Sequence, residues 1–333
     1  MEFNQLLTAM VLEMDRAPDI VKPSKFWSDL NEQHGKRLGE GGIENFRRTL
    51  AKDYFTWMRV LPWDSQIRFL VKTLGPVTTA KCAAMTFSNP FHDRIPMTES
   101  LALNFLTRLL WAYASRSHPE LATLSEPQFG NPPDIRASGR LISQDLANSV
   151  LEFASYRSAV NGTVYELGGG YGRNAYVTAK LASFERYVFA DISPALAVAQ
   201  EFIRHSFPND RLFGFRPFDS YSEIADEIEN SRFVFLLPHQ LEMMPDGDAD
   251  LFLNISSLHE MRIDQVDYYL AQIRRLVRPN GHFYLKAWES SNNPDKAEQI
   301  NSTDYDLSGF QQVFWRTPEV QTRFFETLQM RAA

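Results

Sequence analysis

Along the first 125 residues the apolar positions recur at i, i+3 and i+4. Phe3, Leu6, Leu7, Met10, Val11 and Met14 fall on one face of a helix, and the same texture predicts helices over 24–33, 43–58, 64–74 and 98–115. The stretch 126–139 holds three prolines and two glycines and reads as a junction, because these residues restrict φ or admit positive φ. Ser143 then caps a helix through Leu146, Val150, Leu151 and Phe153, which ends before Asn161-Gly162. Beyond 162 the period changes. Short β-rich runs at 163–167, 187–191, 233–237, 250–255 and 282–288 alternate with helical stretches. The clearest of these are 194–205, with Ser193 as N-cap and Pro194 in the first turn, and 263–277, closed by Pro279-Asn280-Gly281. Alternation of this kind predicts a parallel sheet with crossover helices. The chain therefore divides into a helical part (1–125), a linker with its helix (126–160) and an α/β part (161–333). Segment 208–231 exceeds what a crossover needs and reads as an added hairpin or helix.

Charge narrows the function classes. The net charge is −7, and the segment after residue 150 alone carries 17 basic and 25 acidic side chains. Neither half has the basic face that a nucleic acid would need. A single cysteine, Cys82, cannot form an internal disulfide, so a reducing cytoplasm is the expected compartment. The first residues lack the basic, apolar and small-residue regions of a signal peptide. The longest apolar stretch, 101–114, is interrupted by Asn104 and Arg108 and is too short to span a bilayer.

The candidate chemistry centres on Val164-Tyr-Glu-Leu-Gly-Gly-Gly-Tyr-Gly-Arg-Asn174, where a strand, a glycine loop and a helix start follow one another. Gly168, Gly169 and Gly170 let the backbone turn tightly and approach a ligand. Asp191, followed by Ile192, ends the next strand, where a carboxylate can accept both hydroxyls of a ribose. Two registers compete. Gly170-Tyr-Gly172-Arg-Asn-Ala175 fits the dinucleotide fingerprint G-x-G-x-x-A of an NAD-dependent oxidoreductase or epimerase. Glu166-Leu-Gly168-Gly-Gly170-Tyr-Gly172 fits E-x-G-x-G-x-G, the pattern of enzymes that use S-adenosylmethionine (SAM). Glu166 favours the second, since a carboxylate facing the loop repels a pyrophosphate but complements the ammonium and sulfonium of SAM.

In such a sheet ligands bind beyond the carboxyl ends of the strands. The strand at 250–255 runs into Asn254-Ile-Ser-Ser-Leu-His-Glu-Met261, which brings Asn254, His259 and Glu260 to that edge. His259 is the candidate general base for removing an acceptor hydroxyl proton, and Glu260 orients it or binds a sugar hydroxyl. The plainer reading is that both residues anchor the following helix. Trp288 and Trp315 are candidates for a sugar platform, with Lys286 and Glu289 near the same edge to read hydroxyls, though large aromatics more often serve a core. No metal-ligand spacing is present, so no metal is expected.

Residues 233–254 resemble the third strand, adenine loop and fourth strand of class I methyltransferases, with His239 and Gln240 standing where that family often has an acidic adenine contact. More of the chain resembles the family of sugar O-methyltransferases. The shared blocks are Gly42-Ile-Glu-Asn-Phe-Arg-Arg-Thr-Leu50 with 53–57, Gly139-Arg-Leu-Ile-Ser-Gln-Asp-Leu-Ala-Asn-Ser149, the glycine loop and 253–261. That resemblance implies a Rossmann-like sheet with a helical N-terminal domain closing over it. It implies SAM as cofactor and a small-molecule or glycan acceptor whose hydroxyl is methylated. Arg140, Ser143 and Gln144 would then lie near the cofactor, with Arg140 on its carboxylate, and Arg47, Arg48 and Lys52 would reach substrate. A non-catalytic SAM-binding scaffold is the rival of another class, and a homodimer is compatible with the chain without a motif that requires it.

Overall fold

The computed structural model describes residues 2–50, 65–88, 97–292 and 299–333. Helices α1 (Phe3–Arg16), α2 (Lys25–Gly41), α3 (Phe46–Thr49), α4 (Ser65–Ser88) and α5 (Met97–Ser117) make up the N-terminal part. Helix α1 buries Leu6, Met10 and Met14, three of the positions that its apolar spacing singles out. Helix α4 is broken at Gly75, whose φ of 76° is not helical, so the stretch predicted to stop at 74 does stop there. A second segment, beginning with Pro76, then runs on to Ser88. The second half of the helix expected over 43–58, together with Lys52 and the block 53–57, lies outside the described residues.

The junction contains a short antiparallel hairpin, β1 (Arg136–Ala137) and β2 (Arg140–Leu141). Helix α6 (Gln144–Tyr156) follows, and the Ser143 hydroxyl accepts from Leu146 N at 2.9 Å, as the sequence predicts for its cap.

The α/β part contains β3 (Thr163–Leu167), α7 (Arg173–Leu181), β4 (Arg186–Ala190), α8 (Ala195–Ser206), β5 (Leu212–Phe213), α9 (Ala225–Glu229), β6 (Phe233–Leu236) and β7 (Ala249–Ile255). It continues with α10 (Ile263–Leu276), β8 (Val277–Trp288), β9 (Ser290–Asn292), β10 (Gln299–Asn301), β11 (Phe310–Arg316) and β12 (Phe324–Arg331). Eight strands form one sheet in the order β5-β6-β4-β3-β7-β8-β12-β11. The first six are parallel, β12 is antiparallel to β8, and β11 is antiparallel to β12. This is a Rossmann-like α/β fold. The central strands are buried on both faces, which explains their unbroken apolar runs. Tyr187, Phe189, Phe233 and Phe235 are almost fully buried. Each such ring contributes about 1.5–3 kcal/mol relative to leaving it in water, and Phe189 stacks on Phe235 with centroids 4.7 Å apart.

Two local expectations are corrected, and a third is narrowed. The helix after Asp191 begins at Ala195 with Pro194 as its N-cap, rather than at Pro194 capped by Ser193. Pro279-Asn280-Gly281 does not separate helix from strand. Strand β8 already starts at Val277, and the three residues belong with Arg278 to the irregularity between the pairs Ala249↔Val277 and Leu251↔His282. Segment 208–231, expected as an added hairpin or helix, contains the helix: it supplies the parallel edge strand β5, a turn of 3-10 helix at Tyr221–Glu223 and helix α9.

The apolar core runs without a break from Leu6, Met10 and Leu38 through Leu109 and Phe153 to Val164 and Phe235. The N-terminal helices therefore share a core with the sheet.

Candidate functional site

Strand β3 has β4 on one side and β7 on the other, so the direction of strand order reverses there. Connections leave to opposite faces at such a point and open a crevice beyond the carboxyl ends of the strands. A cleft of about 130 Å³ lies in that position, lined by Leu167, Gly168, Gly170, Asp191, Ile192, Pro238, Ser256, Ser257, Glu260, Met261, Gln265 and Tyr269. Its roof comes from the other end of the chain: Val21, Lys22, Pro23, Ser24 and Trp27.

The glycine loop is held from below and from the side. Gly168 has a φ of +74°, and a Cβ there would stand 2.1 Å from the Ser257 Oγ, so any side chain at this position is strained. Glu166 is buried beneath the loop and accepts from Asn174 Nδ2 at 3.0 Å and from the Tyr187 hydroxyl at 2.8 Å. Burial pushes its carboxyl pKa up, with these two donors opposing the rise. Asp191 accepts from Gly170 N at 2.9 Å through Oδ2 and from Ile192 N at 2.7 Å through Oδ1. Burial pushes Asp191 up to about 7, against the pull of those two N–H donors. Glu260 shares the cleft, and its carboxyl is also pushed up, first by desolvation and then by repulsion from Asp191.

The structure brings Gly168, Gly170, Asp191, Ile192 and Glu260 to one cleft, sets His259 beside it with Nε2 3.7 Å from Glu260 Oε1, and puts the other expected residues elsewhere. Gly169 packs toward Glu166, whose Oε2 would be 2.8 Å from a Cβ there. Asn254 spans two loops, donating to Leu167 O at 3.0 Å and accepting from Leu258 N at 3.1 Å. Gln240 accepts from Leu237 N and donates to Arg216 O, which holds its own turn together. His239 faces α1, with Nε2 3.5 Å from Glu13 Oε1. Ser143 caps α6 and donates to Glu126 Oε2 at 2.6 Å. Arg140 is exposed on the β1-β2 hairpin.

His259 is buried, only 3% exposed, with its ring 6.1 Å from that of Trp288 and 6.2 Å from that of Phe324. Burial pushes its pKa down to about 3, which keeps the imidazole neutral. Lys286 is buried too, donating to Glu152 Oε1 at 2.8 Å and to Gln321 Oε1. Glu289 accepts from the Ser302 hydroxyl, and Trp315 stacks on Phe325 at 4.5 Å on the outermost strand β11.

Sequence reasoning missed the roof and its tether. Gln265 Nε2 donates to Ile20 O at 2.9 Å and to Lys22 O at 2.8 Å, pinning the Val21–Ser24 backbone above the cleft. No motif marks residues 21–27. Ser256 and Ser257 lie inside the segment 253–261, and the positive φ of Ser256 (57°) is the local feature that turns the chain there.

Among the described residues no helix is long and apolar enough to cross a membrane, and no group of His, Cys, Asp and Glu side chains could hold a metal ion. No family model matches the chain. Its structure is similar to that of 1,6-didemethyltoxoflavin-N1-methyltransferase from Burkholderia thailandensis, solved with 1,6-didemethyltoxoflavin and S-adenosylhomocysteine bound. The two are 17% identical over 57% of this chain and 79% of that one, with a TM-score of 0.37. A SAM-dependent methyltransferase from Aquifex aeolicus is similar at 13% identity over 55% and 89% of the respective chains, with a TM-score of 0.37. The [4+2]-cyclase SpnF is similar at 13% identity over 60% and 85%, with a TM-score of 0.42.

Proposed function

We propose that the protein is a SAM-dependent methyltransferase that acts on a hydroxyl group, with a sugar or glycan as acceptor. The observation that carries this reading is Asp191. Two backbone N–H donors orient its carboxylate beside the glycine loop at the reversal point of the sheet, where it can accept the two ribose hydroxyls of an adenosine. The surroundings fit such a group: Leu167, Ile192 and Pro238 offer apolar surface for a base, and Gly168 leaves the backbone bare. The dinucleotide alternative would bring a pyrophosphate to the glycine loop, where the Gly170 N–H it would need already donates to Asp191 and the Glu260 carboxyl shares the cleft.

When bound, SAM supplies a methyl group made electrophilic by its sulfonium. The protein's part is to orient the acceptor and to take the proton that its hydroxyl loses on attack. Glu260 is the titratable side chain of the cleft suited to that role, because its raised pKa brings its basicity nearer to neutral pH. His259 is a weaker candidate, being buried between Trp288 and Phe324 with a depressed pKa. The sugar assignment rests on the resemblance carried by 42–50, 139–149 and 253–261.

The test is release of S-adenosylhomocysteine from SAM in the presence of a panel of monosaccharides and sugar nucleotides. The reading expects turnover with at least one hydroxylated acceptor, and a kcat about 10²–10⁴-fold lower in Glu260→Gln with cofactor affinity within about twofold. Cofactor binding without turnover on any acceptor would favour a scaffold. Full activity of Glu260→Gln would remove the base assignment.

A further inference from the structure

The N-terminal segment crosses the ligand edge of the sheet twice. Helix α1 packs on α8, whose apolar residues belong to the core on one face, and brings Glu13 Oε1 within 3.5 Å of His239 Nε2, just beyond β6. The chain then passes to the other face, where Gln265 in the first turn of α10 holds Ile20 O and Lys22 O. Helix α2 leads back, and Phe46 of α3, which follows it, packs on Tyr171 of the glycine loop with ring centroids 5.5 Å apart. The path of α2 therefore runs from the start of α10 toward the glycine loop, on the β3-β7 side of the cleft, whereas α1 lies at the β6 side.

Trp27 sits in the first turn of α2. The Ser24 cap fixes its backbone by accepting from Trp27 N at 3.4 Å, and its half-buried side chain lines the cleft with Ser256, Ser257 and Glu260. Tyr269, the other aromatic residue among the described lining residues, is only 2% exposed and packs against Tyr268, so little of its ring is open to a ligand. The tryptophans that the sequence nominates for a sugar platform are engaged elsewhere: Trp288 packs with His259 and Phe324, and Trp315 stacks on Phe325. With the nucleoside at Asp191, Ile192 and Pro238, after β4 and β6, the β7 side with Glu260 is left for the acceptor.

We propose that Trp27 is the platform for that acceptor: the indole covers the apolar face of a sugar ring while Glu260 reaches the hydroxyl that reacts. This rests on the methyltransferase reading and names a specificity-determining residue within it. The C–H groups of a sugar ring gather on one face, and a flat aromatic ring buries that face while the hydroxyls at the edge stay free to hydrogen-bond. Such a contact holds the ring equally before and during transfer, so its loss raises KM and leaves kcat nearly unchanged.

The test joins fluorescence to steady-state kinetics. Each monosaccharide and sugar nucleotide of the panel is titrated into the protein saturated with S-adenosylhomocysteine while tryptophan emission is followed, and KM and kcat are measured for every acceptor that turns over. The variants are Trp27→Phe, which keeps a flat ring, and Trp27→Leu, which keeps apolar bulk alone. Thermal melts check folding, and calorimetry gives the affinity for S-adenosylhomocysteine. Acceptor KM should rise about tenfold in Trp27→Leu and less than about threefold in Trp27→Phe, with kcat within about threefold and cofactor affinity within about twofold. The change in emission that the acceptor causes in the wild type should shrink in Trp27→Phe, and this decides the matter should Trp27→Leu not fold.

The inference is overturned, with the methyltransferase reading intact, if KM is unchanged in folded Trp27→Leu, if Trp27→Phe is impaired as much, or if the emission change survives in Trp27→Phe. It is also overturned if Trp27→Leu loses affinity for S-adenosylhomocysteine but keeps its acceptor KM, for Trp27 would then cover the cofactor. Cofactor binding with no response to any member of the panel removes the sugar platform alone, and no binding of S-adenosylhomocysteine sinks both readings.

Discussion

The sheet and the N-terminal segment build opposite walls of the same cleft by different means. The sheet side is made of short contiguous pieces at strand ends: Leu167 to Gly170 after β3, Asp191 and Ile192 after β4, and Ser256 to Met261 after β7. The N-terminal side is a strap, Val21 to Ser24 with Trp27, held from across the cleft by the side chain of Gln265. Where a parallel sheet sets the position, a few residues in a row carry the function, because every strand delivers its carboxyl end to the same edge. Where helices set it, the contributing residues have no local signature and are fixed only by tertiary contacts.

The most severe way to break the sheet side is Gly168→Ala. The positive φ costs about 1–2 kcal/mol, and the overlap with Ser257 adds about 1–3 kcal/mol of overpacking. Denaturant unfolding should show the loss, and adding Ser257→Gly should recover the steric part while leaving the φ strain. Full stability of the single variant would mean that the loop does not sit against Ser257.

Acid titration of stability probes the buried floor of that side. His259 has a folded pKa lowered to about 3 from an ordinary 6.5, so its stabilising effect is complete above pH 6.5 and is lost as pH falls from there toward 3. At about 1.4 kcal/mol per pH unit, the wild type should lose about 2–3 kcal/mol more than His259→Gln between pH 6.5 and 4.5. Parallel pH profiles would show instead that the ring is open to solvent.

The strap should respond more mildly. Gln265→Ala removes two hydrogen bonds to the strap, worth about 0.5–1.5 kcal/mol each, and one from Arg262 N at the start of α10, and amide exchange over residues 20–27 should quicken while β3 and β4 stay protected. Unchanged exchange would show that Gln265 is not the tether. The smallest effect is expected for Arg140→Ala. An exposed arginine on the β1-β2 hairpin should leave S-adenosylhomocysteine affinity within about twofold and stability within about 0.5 kcal/mol. A larger loss of affinity would return Arg140 to the cofactor.

The same contrast governs what could be read from the chain. The strand at 163–167 has the predicted bounds, and Asp191 stands at the expected edge, because unbroken apolar runs and a glycine loop are local signals. Strands β11 and β12 escaped notice. The exposed residues of β11 follow no alternation, and its pairing with β12 is interrupted between Gln312 and Phe314. The burial of His259 was equally hidden, since Trp288 and Phe324 reach it from later strands.

The central claim, that Asp191 and the glycine loop hold the adenosine of SAM and not that of a dinucleotide, is tested most directly by calorimetric titration with S-adenosylhomocysteine, with NADH as the control ligand. The account predicts saturable binding to the wild type, about 10–100-fold weaker binding to Asp191→Ala through loss of charge-assisted hydrogen bonds, and no heat from NADH. Saturable NADH binding with none for S-adenosylhomocysteine, or undiminished affinity in Asp191→Ala, would contradict it.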